Sequence, residues 1–184
     1  MGNILAGIIP ILVSYRPRPR KEQTIILIGL DYSGKTTLLT RLKNPQQNVL
    51  ILPTEAFNLG SIPFRKNTLT IWDLAGGPKT RLLWRHYFAG KQAIVFVIDA
   101  NDPVRLYEAV EILKNIADYP ELIGVPFLIF ANKSDFPSAM SVEEISAELP
   151  PLPTHQYYVQ ACSAETLEGV YEGLTWLLNL KKNK

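Results

Sequence analysis

Gly29-Leu30-Asp31-Tyr32-Ser33-Gly34-Lys35-Thr36 is the stretch on which the fold of this chain turns. The spacing is G-x-x-x-x-G-K-T, and it gains its force from what surrounds it. Residues 24–28 are a short apolar, β-branched run ending in glycine, and residues 35–43 have helical character, so strand, glycine loop and helix follow in order. Successive backbone N–H groups in such a loop form a concave nest for the α- and β-phosphates of a nucleotide, and the following helix directs its partial positive end at them. Asp31, Tyr32, Ser33, Gly34 and Thr37 are assigned to this nest with Lys35, whose ammonium would reach the β- and γ-phosphates. The Thr36 hydroxyl would ligate Mg²⁺.

The order strand, loop, helix recurs downstream. Residues 69–72, 93–98, 127–131 and 157–161 read as buried strands, and residues 81–88, 104–117, 142–149 and 167–180 as helices between or after them. Such alternation implies an α/β fold with a mainly parallel sheet covered on both faces and ligands at the carboxyl ends of its strands. Residues 62–65 and 69–71, separated by Lys66-Asn67-Thr68, can form an antiparallel hairpin at one edge.

Two further motifs fall at strand ends. Asp73-Leu74-Ala75-Gly76 places a carboxylate where it can hold a Mg²⁺-bound water, and Gly76 can offer its N–H to a γ-phosphate. Asn132-Lys133-Ser134-Asp135 follows the strand at 127–131 and projects over the sheet edge where a base would lie. The Asp135 carboxylate can accept from N1–H and the exocyclic amine of guanine; adenine lacks that donor pair and would leave the charge unpaired. The Lys133 stem can cover the base, and Asn132 can tie the base loop to the phosphate loop. These residues favour GTP over ATP.

Size and composition agree with one globular domain. A chain of 184 residues can bury about 70% of its unfolded surface. With 47% hydrophobic and 20% charged residues it resembles neither a disordered nor a disulfide-stapled protein. Cys162 stands alone, which excludes an internal disulfide and any Cys-cluster zinc site and points to a reducing compartment. No stretch reaches the roughly 20 apolar residues of a membrane span. Residues 1–21 carry Arg16, Arg18, Arg20 and Lys21 with no acid, while the rest is slightly acidic, a balance that suits an anionic surface better than nucleic acid. A composition boundary at Arg16-Pro17-Arg18-Pro19-Arg20, where alternating proline forbids helix, divides an arm at 1–21 from a domain at 22–184.

The arm holds Ile4, Leu5, Ile8, Ile9, Ile11, Leu12 and Val13. That apolar cluster either meets a membrane or packs permanently on the globule. Gly2, behind an initiator methionine, is a candidate myristoylation site, although Ala6 stands where the general pattern has Ser or Thr. One acyl chain binds with K of order 10⁴ M⁻¹ and needs a second signal, which the aliphatic cluster and the basic segment can supply.

The three nucleotide motifs in this order are those of the small GTPases, and over essentially its whole length the chain resembles the ADP-ribosylation-factor (Arf) family. The likeness is carried by Met1-Gly2-Asn3-Ile4, Gly29-Leu30-Asp31, Pro53-Thr54 with Phe57-Asn58, Trp72-Asp73, Trp84-Arg85-His86-Tyr87-Phe88 and Tyr171-Glu172-Gly173-Leu174. The resemblance implies a P-loop small-GTPase (G-domain) fold, a six-stranded mostly parallel sheet with helices on both faces. It further implies that Thr54 is a second Mg²⁺ ligand recruited with the γ-phosphate and that Gly76 anchors the second switch. By the same likeness Ser163-Ala164 supports the guanine O6 and Gly2 is acylated. A GTP/GDP cycle with Mg²⁺ in vesicular traffic would then follow, the protein being a cytoplasmic monomer that joins the cytosolic face of a membrane when GTP-bound and works through effector, exchange and activating proteins. For the aromatic run 84–88 both a core face and an effector surface remain open.

The chain departs from the family pattern at the glutamine that positions the attacking water. Gly77 stands there, followed by Pro78, which stiffens the segment. Positioning and charge stabilisation are most of what such an enzyme contributes, so very slow intrinsic hydrolysis, or a polar side chain lent by a partner, is expected. Lys79 and His86 lie nearby in the chain, and the alternative is a pseudo-GTPase scaffold that holds GTP without cycling. Glu55 and Ala56 replace the aliphatic residue and glycine of the first switch, and the charge should repel apolar docking partners.

Overall fold

A computed structural model describes residues 21–46 and 51–180. The arm at 1–20, with Gly2 and the aliphatic cluster, lies outside the described residues.

Nine residues of strand β1 (Lys21–Gly29) run up the middle of the sheet. Helix α1 (Lys35–Lys43) follows, then strands β2 (Phe57–Phe64) and β3 (Asn67–Leu74), the short helix α2 (Pro78–Arg81), and β4 (Ala93–Asp99). Helix α3 (Leu106–Ala117), strand β5 (Phe127–Asn132), helix α4 (Val142–Glu148), strand β6 (Tyr157–Cys162) and helix α5 (Val170–Asn179) complete the chain. The six strands lie in the order β2-β3-β1-β4-β5-β6, all neighbours parallel except the β2–β3 pair. This is the expected six-stranded, mostly parallel sheet.

The continuous apolar runs exist because both faces are covered. Ile26, Ile28, Ile94, Phe96 and Ile129 pack with α3 and Ile145 of α4 on one side; Ile25, Leu27, Val95, Val97 and Phe130 pack with α1 and α5 on the other. Period-2 alternation within one run thus feeds two cores, each fully buried Ile, Leu or Phe contributing about 1.5–3 kcal/mol. Ser141 caps α4 reciprocally with Glu144.

Four expected elements differ. The hairpin is longer than 62–65 with 69–71: it registers Phe57 with Leu74 and Phe64 with Asn67, so the turn is Arg65-Lys66 and Asn67 and Thr68 already belong to β3. The outer half of β2, Phe57–Ser61, lies beyond the expected hairpin because its apolar residues, Phe57 and Leu59, fall on the exposed face, opposite the buried Ile62 and Phe64. The helix expected over 81–88 is instead α2, ending at Arg81, and a 3₁₀ turn over Trp84–Tyr87. The helix expected from 167 begins at Val170, since Leu167 and Gly169 have φ of 67° and 71°. The helix expected from 104 opens with a 3₁₀ turn over Pro103–Arg105.

Candidate functional site

A cavity of about 480 Å³ lies over the carboxyl ends of β1, β3 and β5, within the usual range for a small-molecule site. Asp31, Tyr32, Gly34, Lys35, Thr36 and Thr37 form one wall, residues 51–54 a second, and residues 75–77 with Thr80 and Lys133 the remainder.

The loop after β1 is held from several directions. Gly34, the residue before α1, has φ +95°, and a Cβ there would fall 2.2 Å from the Asn132 amide nitrogen. Only glycine meets both demands. The buried Ser33 hydroxyl donates to the Leu30 carbonyl at 2.8 Å, and the Lys35 ammonium donates to the same oxygen at 2.6 Å. Burial lowers the Lys35 pKa to about 8, against the attraction of Asp73 and Asp31. A cation held in this way is stabilised by any polyanion placed beside it. Tyr32, at φ 60°, stands on the rim, 73% exposed.

Asn132, 1% exposed at the end of β5, joins the phosphate loop to the β6–α5 loop. Its Nδ2 donates to the Ser33 carbonyl at 2.7 Å, and its Oδ1 accepts the Ala164 N–H at 2.8 Å. The tie expected of this residue is present. The Ala164 N–H is thereby engaged within the protein. Ser163 is buried and accepts from the Thr166 N–H, and Lys133, at φ 66°, pairs with Asp99 at 2.5 Å. Asp135 is exposed, and neither it, Ser163 nor Ala164 lines the cavity, so the phosphate and base ends of the predicted site are differently built. Cys162 is buried, burial pushes its thiol pKa up, and it is packed rather than reactive.

At the opposite wall three oxygens meet. Thr36 Oγ1 lies 2.7 Å from Thr54 Oγ1 and donates to Asp73 Oδ2 at 2.8 Å, while Thr54 Oγ1 is 3.2 Å from the same carboxylate oxygen. Asn58 joins them, donating to Thr54 at 2.9 Å and to Asp73 at 3.2 Å. Burial raises the Asp73 pKa, opposed by these hydrogen bonds and by Lys35. Its Oδ1 is buried without a hydrogen-bond partner among the described residues. An all-oxygen donor set with an unspent carboxylate oxygen fits a hard cation such as Mg²⁺.

Two arginines that sequence reasoning missed hold Asp31. Arg105 donates to its carboxylate at 3.1 Å and its carbonyl at 3.3 Å; Arg81 lies 3.6 Å from the carboxylate and donates to the Gly76 carbonyl at 2.5 Å and to Glu108 at 2.6 Å. Asp31 and Arg105 are 74 residues apart, so no local pattern announces the pair.

The second switch segment begins tightly and then opens. A Cβ on Gly76 would fall 2.4 Å from the Gly29 carbonyl and 2.5 Å from the Asp31 nitrogen. Gly77, at φ −68°, has only the Thr80 hydroxyl within reach, at 3.6 Å. Farther along, the aromatic run divides: Trp84 and Phe88 are buried, Trp84 Nε1 donating to the Ala75 carbonyl at 2.9 Å, while Tyr87 packs beside Phe57 and Trp72 at the surface. The core-face meaning applies to Trp84 and Phe88.

A model of the ADP-ribosylation factor family matches residues 10–181. The chain belongs to that family. Among solved structures this Arf-family chain is similar to the Arl6 BBS3 small GTPase from Trypanosoma brucei, determined with the bound nucleotide analogue GppNp. The TM-score is 0.79 at 27% identity, over 89% of this chain and 99% of the other. Family and fold together make this a GTP-binding protein of small-GTPase architecture, and the family implies GTP or GDP with Mg²⁺ as its ligands.

Proposed function

We propose that this Arf-family protein is a Mg²⁺-dependent GTP switch that acts at a membrane in intracellular traffic and hydrolyses its nucleotide slowly. The observation that carries the switch is the meeting of Thr54 with Thr36 and Asp73 beside Lys35. Thr54 comes from the segment before β2, Thr36 from α1 and Asp73 from β3, so one ligand site draws on a wall that the others do not anchor. Lys35 and the N–H groups of Asp31, Tyr32, Ser33, Gly34 and Thr37 would hold the phosphates, with the Gly76 N–H on the γ-phosphate. Thr36 and Thr54 would hold Mg²⁺ directly and Asp73 through water. Mg²⁺ supplies charge neutralisation at the β- and γ-phosphate oxygens when bound. Asn132, Lys133, Asp135, Ser163 and Ala164 would read guanine, Asp135 turning inward from its exposed position and the Ala164 N–H shared with the base oxygen.

Slow hydrolysis follows from Gly77, which presents no side chain to the cavity. The same residue supports the second reading, a scaffold that keeps GTP as a structural cofactor. The exposed Glu55 disfavours exchange factors with apolar docking surfaces. Gly2 as an acylation site and the arm as a membrane contact complete the proposal. Among the described residues no helix is long and apolar enough to cross a membrane. The bound-nucleotide content of freshly purified protein, followed over hours, tests the reading. Bound GTP declining slowly to GDP supports the switch, GTP that never declines supports the scaffold, and absence of guanine nucleotide overturns both. Flotation with anionic liposomes in the GTP but not the GDP form is expected; equal flotation counts against nucleotide control.

A further inference from the structure

Of the polar side chains that follow Gly77 in the chain, Arg81 is spent on the Gly76 carbonyl and Glu108, and Arg85 on Glu121, which leaves Lys79, Thr80 and His86. Lys79 and His86 are exposed and do not line the cavity. Thr80 is half-buried and does line it, on the wall formed by Gly76 and Gly77. Its hydroxyl lies 3.6 Å from the point where a residue 77 side chain would begin. It is also fixed in place: Thr80 Oγ1 donates to the Gly77 carbonyl at 2.8 Å and faces the Ala75 carbonyl at 3.0 Å, spanning Gly76. A hydroxyl has one hydrogen and two lone pairs, so once that hydrogen is spent on the carbonyls the oxygen keeps the capacity to accept. The backbone it spans is the part of the second switch pressed against the phosphate loop.

We propose that Thr80 is a catalytic residue of the slow hydrolysis, its hydroxyl oxygen accepting a hydrogen bond from the attacking water where Gly77 supplies no side chain. In that step the water oxygen bonds to the γ-phosphorus as the bond to the β–γ bridging oxygen breaks. The bridging electron pair leaves on GDP, and the water proton passes to a phosphate oxygen. Thr80 takes up no proton; it aims the water's lone pair at phosphorus, which is the orienting part of such catalysis. A single neutral acceptor is a weaker guide than a side chain that both donates and accepts, consistent with a slow rate.

The inference rests on the GTP-switch reading, and the two fail differently. Failure of the switch appears as absence of guanine-nucleotide binding in the unsubstituted protein, whereas failure of the Thr80 assignment appears only among variants that still bind. The experiment compares unsubstituted protein, Thr80→Val, Thr80→Ser and Thr80→Val with Gly77→Gln. It follows single-turnover GTP hydrolysis, affinity for GppNp, and affinity for GDP with aluminium fluoride, a mimic of the transferring phosphoryl group. Thr80→Val is expected to lose about tenfold in rate and in aluminium fluoride affinity, one hydrogen bond's worth of orientation, with GppNp affinity unchanged. Thr80→Ser should keep the rate, and Gly77→Gln should restore it in the Thr80→Val background, because a glutamine replaces a lost guide but not a lost structural hydroxyl. Lys79→Ala serves as the control with no effect. An unchanged rate in Thr80→Val, or no measurable hydrolysis in the unsubstituted protein, overturns the assignment. If Thr80→Val loses GppNp binding, Thr80→Ala is measured in its place; loss there too assigns the hydroxyl to holding the loop and equally overturns it.

Discussion

The phosphate loop and the second switch segment face each other across one cavity, yet they are built to different tolerances. In the loop, Ser33 and Lys35 are buried, Gly34 is set at φ +95° with no room for a Cβ, and Asn132 at the end of β5 ties the loop to the β6–α5 loop. In the switch segment Gly76 is equally confined. One residue later Gly77 has ordinary backbone angles and an open neighbourhood, and Pro78 and Lys79 are exposed. Possession of the nucleotide is over-determined by packing. On the proposed reading, turnover is left to one or two side chains with few constraints from packing, since position 77 has an open neighbourhood that a glycine fills without disturbing the fold.

The largest effect, and the severest test of that contrast, is expected from Gly34→Val. Strain at positive φ and overlap with the Asn132 amide together cost about 4 kcal/mol, and bound nucleotide should be absent from the purified protein. Thermal unfolding with measurement of nucleotide content checks both; a stable variant that retains GTP would break the comparison at its rigid end. Asn132→Ala comes next, at about 2–3 kcal/mol by denaturant unfolding, because the Ser33 carbonyl and Ala164 N–H lose their buried partner. Release of fluorescent GDP should quicken in parallel. Asp73→Asn sharpens the comparison at the metal end: Mg²⁺ affinity should fall about 10–100-fold, and chelator should speed nucleotide release less than in the unsubstituted protein. The smallest change in stability belongs to Gly77→Gln, within about 0.5 kcal/mol, since a Cβ there makes only ordinary contact. Its hydrolysis rate should nevertheless rise. Destabilisation by several kcal/mol would show the two regions to be built alike.

Much of the site was legible because its parts are contiguous. A glycine loop between strand and helix, a carboxylate at a strand end and Asn-Lys-x-Asp after an apolar run each encode a local conformation, and the sheet follows from their alternation. The aromatic run at 84–88 was less legible. Its spacing suggested one helix, but Trp84 reaches back to the Ala75 carbonyl and the chain tightens to a 3₁₀ turn, a tertiary demand that overrides propensity. Asn58 could be seen only as part of a family pattern; its bond to Asp73 depends on the hairpin register that sets the two residues opposite each other.

By itself the sequence determined the strand–loop–helix start, the parallel sheet and the family, because period, glycine placement and short motifs act over a few neighbouring residues. Only the tertiary structure decided that Arg81 and Arg105 hold Asp31, that the Ser33 carbonyl belongs to Asn132 99 residues away, and that Thr80 rather than Lys79 or His86 faces the cavity. The four residues of α2 have no amphipathic period long enough to announce a face. Their orientation is fixed by Arg81 on the Gly76 carbonyl and by Trp84 on the Ala75 carbonyl, contacts that exist only once β3 and the phosphate loop are in place.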